Sequence, residues 1–439
     1  MTISEVKSEE MKKKTLDFEN KVILAPMVRI GSFPMRYMSL KYGADYVCTC
    51  EIVDKRLIKS TRIINKKLGT IDYMNKDRIE FRTTDYEKGR VILQLGTCDP
   101  DLALQAAKHV EQDVAAIDVN CGCPKRFSVI GGMGAALLAH PDKIINILNK
   151  LVKNLSVPVT CKIRLLNTYE ETIELVKRIE ATGVAAITVH CRRKKEQEKD
   201  PGHWDVFKLI RDAVKIPVIA NGDIFCYEDM EKIKKMSNIN SFMIARAAQN
   251  NPSIFRKEGI LPKLDMVKEY GRLCARYDMP YQNAKYSLLC IWHDHQDKIG
   301  YSLVKSKSVH DICKSVGEEE YYYQVLKERN EKDVELDEES RAKQEEIYAD
   351  QCPYIPRAPY IPKNLKHTLD GEDKNDNKDK ENKDENINEN NKNDGNIKDK
   401  NKIVENENRS NNDNDNNTVK TIDSSNVIEE SKTKKIKLN

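Results

Sequence analysis

The sequence contains no C-x-x-C pair, no G-x-G-x-x-G after a strand and no run of about 18 apolar residues. The first absence matters because the 439-residue chain carries twelve cysteines. Scattered as they are, they indicate neither a zinc site nor a disulfide framework, and they fit a reducing compartment. No metal is expected. The missing glycine motif argues against a resident dinucleotide domain, because Gly131-Gly132-Met133-Gly134 lacks the required spacing. The missing apolar run argues against a membrane helix, and Met1 to Leu16 is too charged for a secretory leader. A cytoplasmic location is expected, with Lys432–Lys437 as a weak nuclear-import candidate.

No charge sign dominates either. The net charge is +4, yet 33% of residues are charged, too many for one compact globule. From Thr368 onward Asn, Asp, Lys and Glu prevail, with 18 acidic against 14 basic residues. That tail carries −4, which leaves +8 on residues 1–367, the sign required of a nucleic-acid binder.

What is present is a repeating alternation. Short apolar segments at Lys21–Ala25, Asp45–Ile52, Val91–Leu95, Val114–Val119, Val157–Arg164, Ala185–His190, Ile216–Ala220 and Ser241–Ala245 read as strands. Helical patterns separate most of them. Asp99-Pro100 is a clean helix start, and residues 54–88 look like an inserted hairpin and helix. Eight strands alternating with helices predict a (β/α)8 TIM barrel, class α/β, over residues 21–260. A polar leader (1–20) precedes it. A small all-α domain (261–348) follows, with helices expected at 264–277, 283–298, 303–316 and 319–348. A Pro/Tyr-rich strap (349–366) and a disordered low-complexity tail (367–439) complete the chain.

Active sites of such barrels lie at the carboxyl ends of the strands. Those ends carry Pro26-Met27, Gln94, Asn120 and Cys123, Lys162 and Arg164, His190, Asn221-Gly222-Asp223 and Arg246. A lone His190 or Lys162 is ordinarily a satisfied structural residue; seven of eight strands ending in such residues, six of them polar, are harder to dismiss. The tips of strands seven and eight are where barrels commonly seat a phosphate, so a phosphate-anchored mononucleotide such as FMN fits. In Asp118-Val-Asn-Cys-Gly-Cys-Pro124 the strand ends at Asn120, placing Cys121 and Cys123 at the mouth. A thiol can donate a proton or, once ionised, attack as a nucleophile. Two residues apart in an extended segment, the two thiols face the same way, so periodicity cannot choose between them. In the helical domain, Lys285, His293, His295, Lys305, Lys307 and His310 form either a solvated basic face or a polyanion contact.

The pieces resemble the tRNA-dihydrouridine synthases. They are Leu24-Ala-Pro-Met-Val28, Gln94-Leu-Gly96, Asp118–Pro124, Gly132-Met-Gly-Ala135, Lys162-Ile-Arg164, Val189-His-Cys-Arg192, Asn221-Gly-Asp223 and Ile244-Ala-Arg246, in the family's order over residues 21–256. The match is strongest to eukaryotic members that act at tRNA position 20. The resemblance implies a flavin barrel with NADPH (or NADH) as transient reductant and tRNA as partner, with no obligate protein partner evident. It implies that Cys123 is the acid. It further implies that Pro26, Met27, Val28, Gln94, Lys162, His190, Asn221, Gly222, Asp223, Ala245 and Arg246 bind FMN. Hydride at C6 and a proton at C5 of uracil are the chemistry required, and Asn120 and Arg164 are expected on the uracil edge. Two features depart from the pattern. A low-complexity tail stands where animal members carry a double-stranded-RNA-binding domain, and Arg192-Arg193-Lys194 replaces the usual Arg-Thr-Arg. The rival enzyme is a flavin barrel that reduces a free pyrimidine or an enone; the rival outside enzymology is an RNA-binding scaffold with a dead barrel.

Overall fold

In the computed structural model, which describes residues 13–351, alternate residues of each core strand point into and out of a closed cylinder. Eight parallel strands form it: Val22–Leu24, Tyr46–Cys48, Val91–Gly96, Ala116–Cys121, Val159–Leu165, Ala186–Arg193, Val218–Asn221 and Ser241–Ile244. They pair in chain order. Val22–Leu24 also pairs with the eighth strand, and Val47 and Cys48 pair with Val91 and Ile92, so no edge is left open. This is a TIM barrel, as the alternation predicts.

The inward set turns from apolar to polar along the strands. Ile92 is followed by Gln94, Ala116 by Asp118 and Asn120, and Ile219 by Asn221. Thr160 leads to Lys162 and Arg164, and Ala186 to Thr188 and His190. The apolar end is closed by Phe18, buried among Ile23, Tyr46 and Ile92, so the leader contributes a plug. The outward set, including Val119, Cys121, Ile163 and Val189, meets the helices in the main core.

Local signals set the helices. The Asp99 carboxylate accepts N–H bonds from Asp101 and Leu102 at 2.8 and 3.0 Å and starts Pro100–Val110. Thr168 and Glu171 form a reciprocal capping box ahead of Tyr169–Glu180. The insertion holds the helix Asp54–Ile58 and a three-stranded antiparallel sheet, Thr61–Asn65, Thr70–Asn75 and Arg78–Thr83, one strand more than a hairpin. Arg36 grips buried Glu87 at 2.7 and 2.9 Å and ties the insertion to the first barrel helix.

The helical region comprises Lys263–Arg276, Tyr281–Trp292, Lys298–Lys305, Val309–Ser315 and Glu319–Gln351. The continuous helix predicted over 283–298 instead stops at Trp292. Asp297 is the cause: its carboxylate caps a new helix at Gly300 N–H (2.6 Å) and accepts the Trp292 indole N–H (2.8 Å). Residues 349–351 continue the last helix. The rest of the expected strap, the tail and the basic end at 432–437 lie outside the described residues.

Candidate active site

The turn after the fourth strand is built by one side chain. The Asn120 amide oxygen accepts the N–H groups of Gly122 (3.0 Å) and Cys123 (2.9 Å), while its NH2 donates to the Gln94 amide oxygen at 3.0 Å. That bend separates the two thiols. Cys121 is fully buried in the barrel–helix layer with its sulfur 3.7 Å from that of Cys161, whereas Cys123 is partly exposed at the mouth. Gly122 presses against strand five, where a Cβ would lie 3.1 Å from the Ile163 carbonyl carbon.

Gln94 and Asn120 are therefore turned toward protein. The Gln94 NH2 donates to buried Asp118 at 2.8 Å, and Thr160 donates to the same carboxylate at 2.7 Å. Burial raises Asp118 despite those two bonds and the charge of Lys162. Asp118, which carries no role in the sequence reading, is the floor of the site.

Pairing register sets the next tier. Asn120 is level with Lys162, Arg164 with His190, and His190 with Asn221. The Lys162 ammonium donates to the Asn221 amide oxygen at 2.8 Å, and the Asn221 NH2 donates to the Met243 carbonyl at 2.8 Å. Burial, and then repulsion from Arg164, bring Lys162 down to about 8, against the pull of Asp118. His190 is held well below its ordinary value, first by burial and then by Lys162, Arg164, Arg192 and Arg246. It is neutral, and four cations surround it. Arg164 donates at 3.1 Å to the carbonyls of Arg193 and Glu196, so it anchors the loop after strand six.

The far rim is an ion cluster. Arg192, buried, donates to both carboxylate oxygens of Asp223 at 2.6 Å, and Arg246 reaches one of them at 2.5 Å. The Gly202 N–H adds a bond of 2.8 Å. Burial would raise Asp223, but the bonds from Arg192 and Gly202 and the charge of Arg246 outweigh it and hold the carboxyl low. Gly222 sits at φ +117°, where a Cβ would meet the Cys191 sulfur at 2.5 Å and the His190 ring at 3.0 Å, so only glycine fits. Pro26 and Met27 are half-buried and Val28 exposed after strand one; Ala245 is half-buried after strand eight.

Burial pushes the Cys123 thiol up to about 11, with the charge of Glu51 next in importance. Glu51 lies inside the apolar segment Asp45–Ile52, so the sequence alone does not mark it as a strand tip. The strand breaks after Cys48 and resumes as Ile52–Val53 beside Leu95 and Gly96, which leaves Glu51 in the break at the mouth, at a carboxyl end like the others. In the helical region, Lys285 donates to the carbonyls of Val304 and Ser306, and His310 pairs with Glu319 at 2.9 Å. Lys305 and Lys307 stay exposed, with Lys305 4.2 Å from the Tyr301 ring centre, and Arg29 at the barrel rim stacks on Tyr286 at 4.1 Å.

Residues 23–348 match the family model described as dihydrouridine synthase (Dus). The chain is 40% identical over 318 residues to the tRNA-dihydrouridine(20) synthase (NAD(P)+) of Schizosaccharomyces pombe, covering 70% of this chain and 66% of that one. It is 38% identical over 296 residues to the Saccharomyces cerevisiae protein of the same name, covering 62% of this chain and 77% of that one. A human tRNA-dihydrouridine(20a/20b) synthase-like protein is 32% identical over 236 residues, covering 53% and 70%.

Proposed function

The chain belongs to the dihydrouridine synthase family, and from that premise we propose that it reduces the C5–C6 bond of a D-loop uridine in tRNA, at position 20. In this reading FMN is the resident flavin, NADPH or NADH the reductant, and Cys123 the proton donor. The observation that carries it is one partly exposed, protonated thiol at a mouth ringed by cations.

The residues fit a flavin mononucleotide. Four cations act on neutral His190, while Asp223 and, at 3.7 Å from Arg246, the exposed Glu198 are the carboxylates paired with them, a surplus of positive charge suited to a phosphate-bearing anion. Arg246, about a third exposed, and the Asn221-Gly222-Asp223 turn would hold the phosphate. Gly222 keeps the backbone there free of a side chain. Lys162 would lie against the ring system, where its ammonium favours an anionic form. When bound, FMN supplies the hydride.

The protein's own residues account for the rest. Asn120 fixes the Cys123 backbone, and the thiol holds its proton on sulfur until a uracil C5 is presented. A uridine folded into tRNA must turn out to reach the mouth, at about a few kcal/mol. The +8 of residues 1–367, including exposed Lys305 and Lys307, supports phosphate contacts that offset this.

The test incubates the purified protein, FMN and NADPH with an unmodified tRNA transcript and reads dihydrouridine by nuclease digestion and mass spectrometry. Dihydrouridine in the wild-type transcript and none when U20 is replaced by C is the expected result. Equal reduction of free uracil and tRNA would favour the free-pyrimidine reductase instead.

A further inference from the structure

One partly buried carboxyl at the mouth is hydrogen-bonded through only one of its oxygens to a neighbouring hydroxyl. Glu51 follows the second barrel strand; its Oε1 accepts the Ser128 hydroxyl at 2.7 Å, its Oε2 is buried with the Cys123 thiol as its neighbour, and burial raises the carboxyl against the pull of both groups. An ionisable oxygen left in that state is unfavourable unless the site makes use of it. The surroundings leave room for it. A Cβ on Gly96 would come within 2.6 Å of Oε1, and a Cβ on Gly134 would lie 2.4 Å from the Ser128 hydroxyl and 3.0 Å from the Cys123 Cβ. Ser128 is thus lodged between the carboxyl and the Cys123 loop. Glu51 acts on the thiol from this side, and Lys162 and Arg164 from strand five.

We propose that Glu51 is a positioning residue that keeps Cys123 a proton donor and bars it from acting as a carbon nucleophile. The proposal rests on Cys123 being the acid. Two outcomes compete for a sulfur beside a C5–C6 double bond. A thiolate adds to carbon and forms an S–C bond, which would trap the enzyme on its substrate. A thiol gives up its proton: the S–H bond breaks, a C–H bond forms at C5, the S–H pair stays on sulfur, and water restores the proton. A carboxylate beside the sulfur makes the thiolate unfavourable and so selects the second course. The Ser128 bond holds that carboxylate in place while substrate enters.

The test uses the full chain and reads alkylation of the Cys123 peptide by iodoacetamide against pH, quantified by mass spectrometry. Glu51→Gln keeps the shape and removes the charge. Its profile should shift down by about one pH unit, giving roughly tenfold faster alkylation of Cys123 at pH 8. Glu51→Asp, which draws the carboxylate back from the sulfur by one methylene, should shift it the same way by a smaller amount, and it decides the matter if Glu51→Gln fails to fold. A profile superimposable on wild type in a folded variant overturns the role of Glu51. A Cys123→Ala protein that still reoxidises its flavin with tRNA overturns the acid assignment instead, so the two failures are distinguishable.

Discussion

Asn120→Ala should disable the acid without disturbing the flavin. In the wild type one amide satisfies three partners: the N–H groups of Gly122 and Cys123, and the Gln94 side-chain oxygen. Truncation leaves all three without that partner. Cys123 is partly exposed, so water can replace its bond, while Gly122 and Gln94 are buried and keep most of their penalty. At about 1–3 kcal/mol for each of the two buried groups left unpaired, the cost is on the order of 2–6 kcal/mol. A loop that samples other positions presents the thiol less often, and each 1.4 kcal/mol is about tenfold in rate. We expect reoxidation of reduced flavin by tRNA to slow by roughly 30-fold or more, with reduction by NADPH within about twofold of wild type. Stopped-flow flavin absorbance separates the two steps. Equal losses in both, or none in reoxidation, would refute the assignment of Asn120 as the residue that positions Cys123.

Arg246→Ala removes the half-buried guanidinium of the rim and should weaken FMN binding by roughly 10- to 100-fold, as expected for a charge-assisted contact; flavin fluorescence titration measures it. Lys162 keeps its charge below pH about 8 and loses it above, so affinity for anionic reduced flavin should fall as pH rises through that value. Lys162→Met should flatten the dependence in the same titration. Glu87→Ala strands buried Arg36 and should destabilise the fold by about 3–5 kcal/mol, read as a lower urea midpoint.

Much of this was legible because the relevant signals are local. Apolar runs of strand length, Asp99-Pro100 as a helix start and polar residues at strand tips each depend on neighbours in the chain. What escaped depends on the third dimension. Asp118 sits inside an apolar run, and its place level with Gln94 and Thr160 on the floor of the site emerges only from pairing across three strands. Gln94 and Asn120 are at the mouth as expected, but their bonding groups face protein, because a buried amide must satisfy both ends. Periodicity alone does not tell the two thiols apart, because it treats the segment as extended; the resemblance points to Cys123. The Asn120 side chain breaks that extension, and the result is one thiol in the core and one at the mouth. The helix break at His293 was missed because Asp297 signals a cap only once its bonds to Gly300 and Trp292 are seen.

The measurement that bears most directly on the account follows both half-reactions in Cys123→Ala and Cys121→Ala. Cys123→Ala should bind FMN and be reduced by NADPH as wild type, yet its reoxidation by tRNA should fall by about 10²–10⁴-fold, the usual worth of a general acid. Cys121→Ala, which alters a sulfur sealed in the barrel–helix layer, should reoxidise at close to the wild-type rate. A Cys121→Ala protein that cannot reoxidise, beside a Cys123→Ala protein that can, would contradict it.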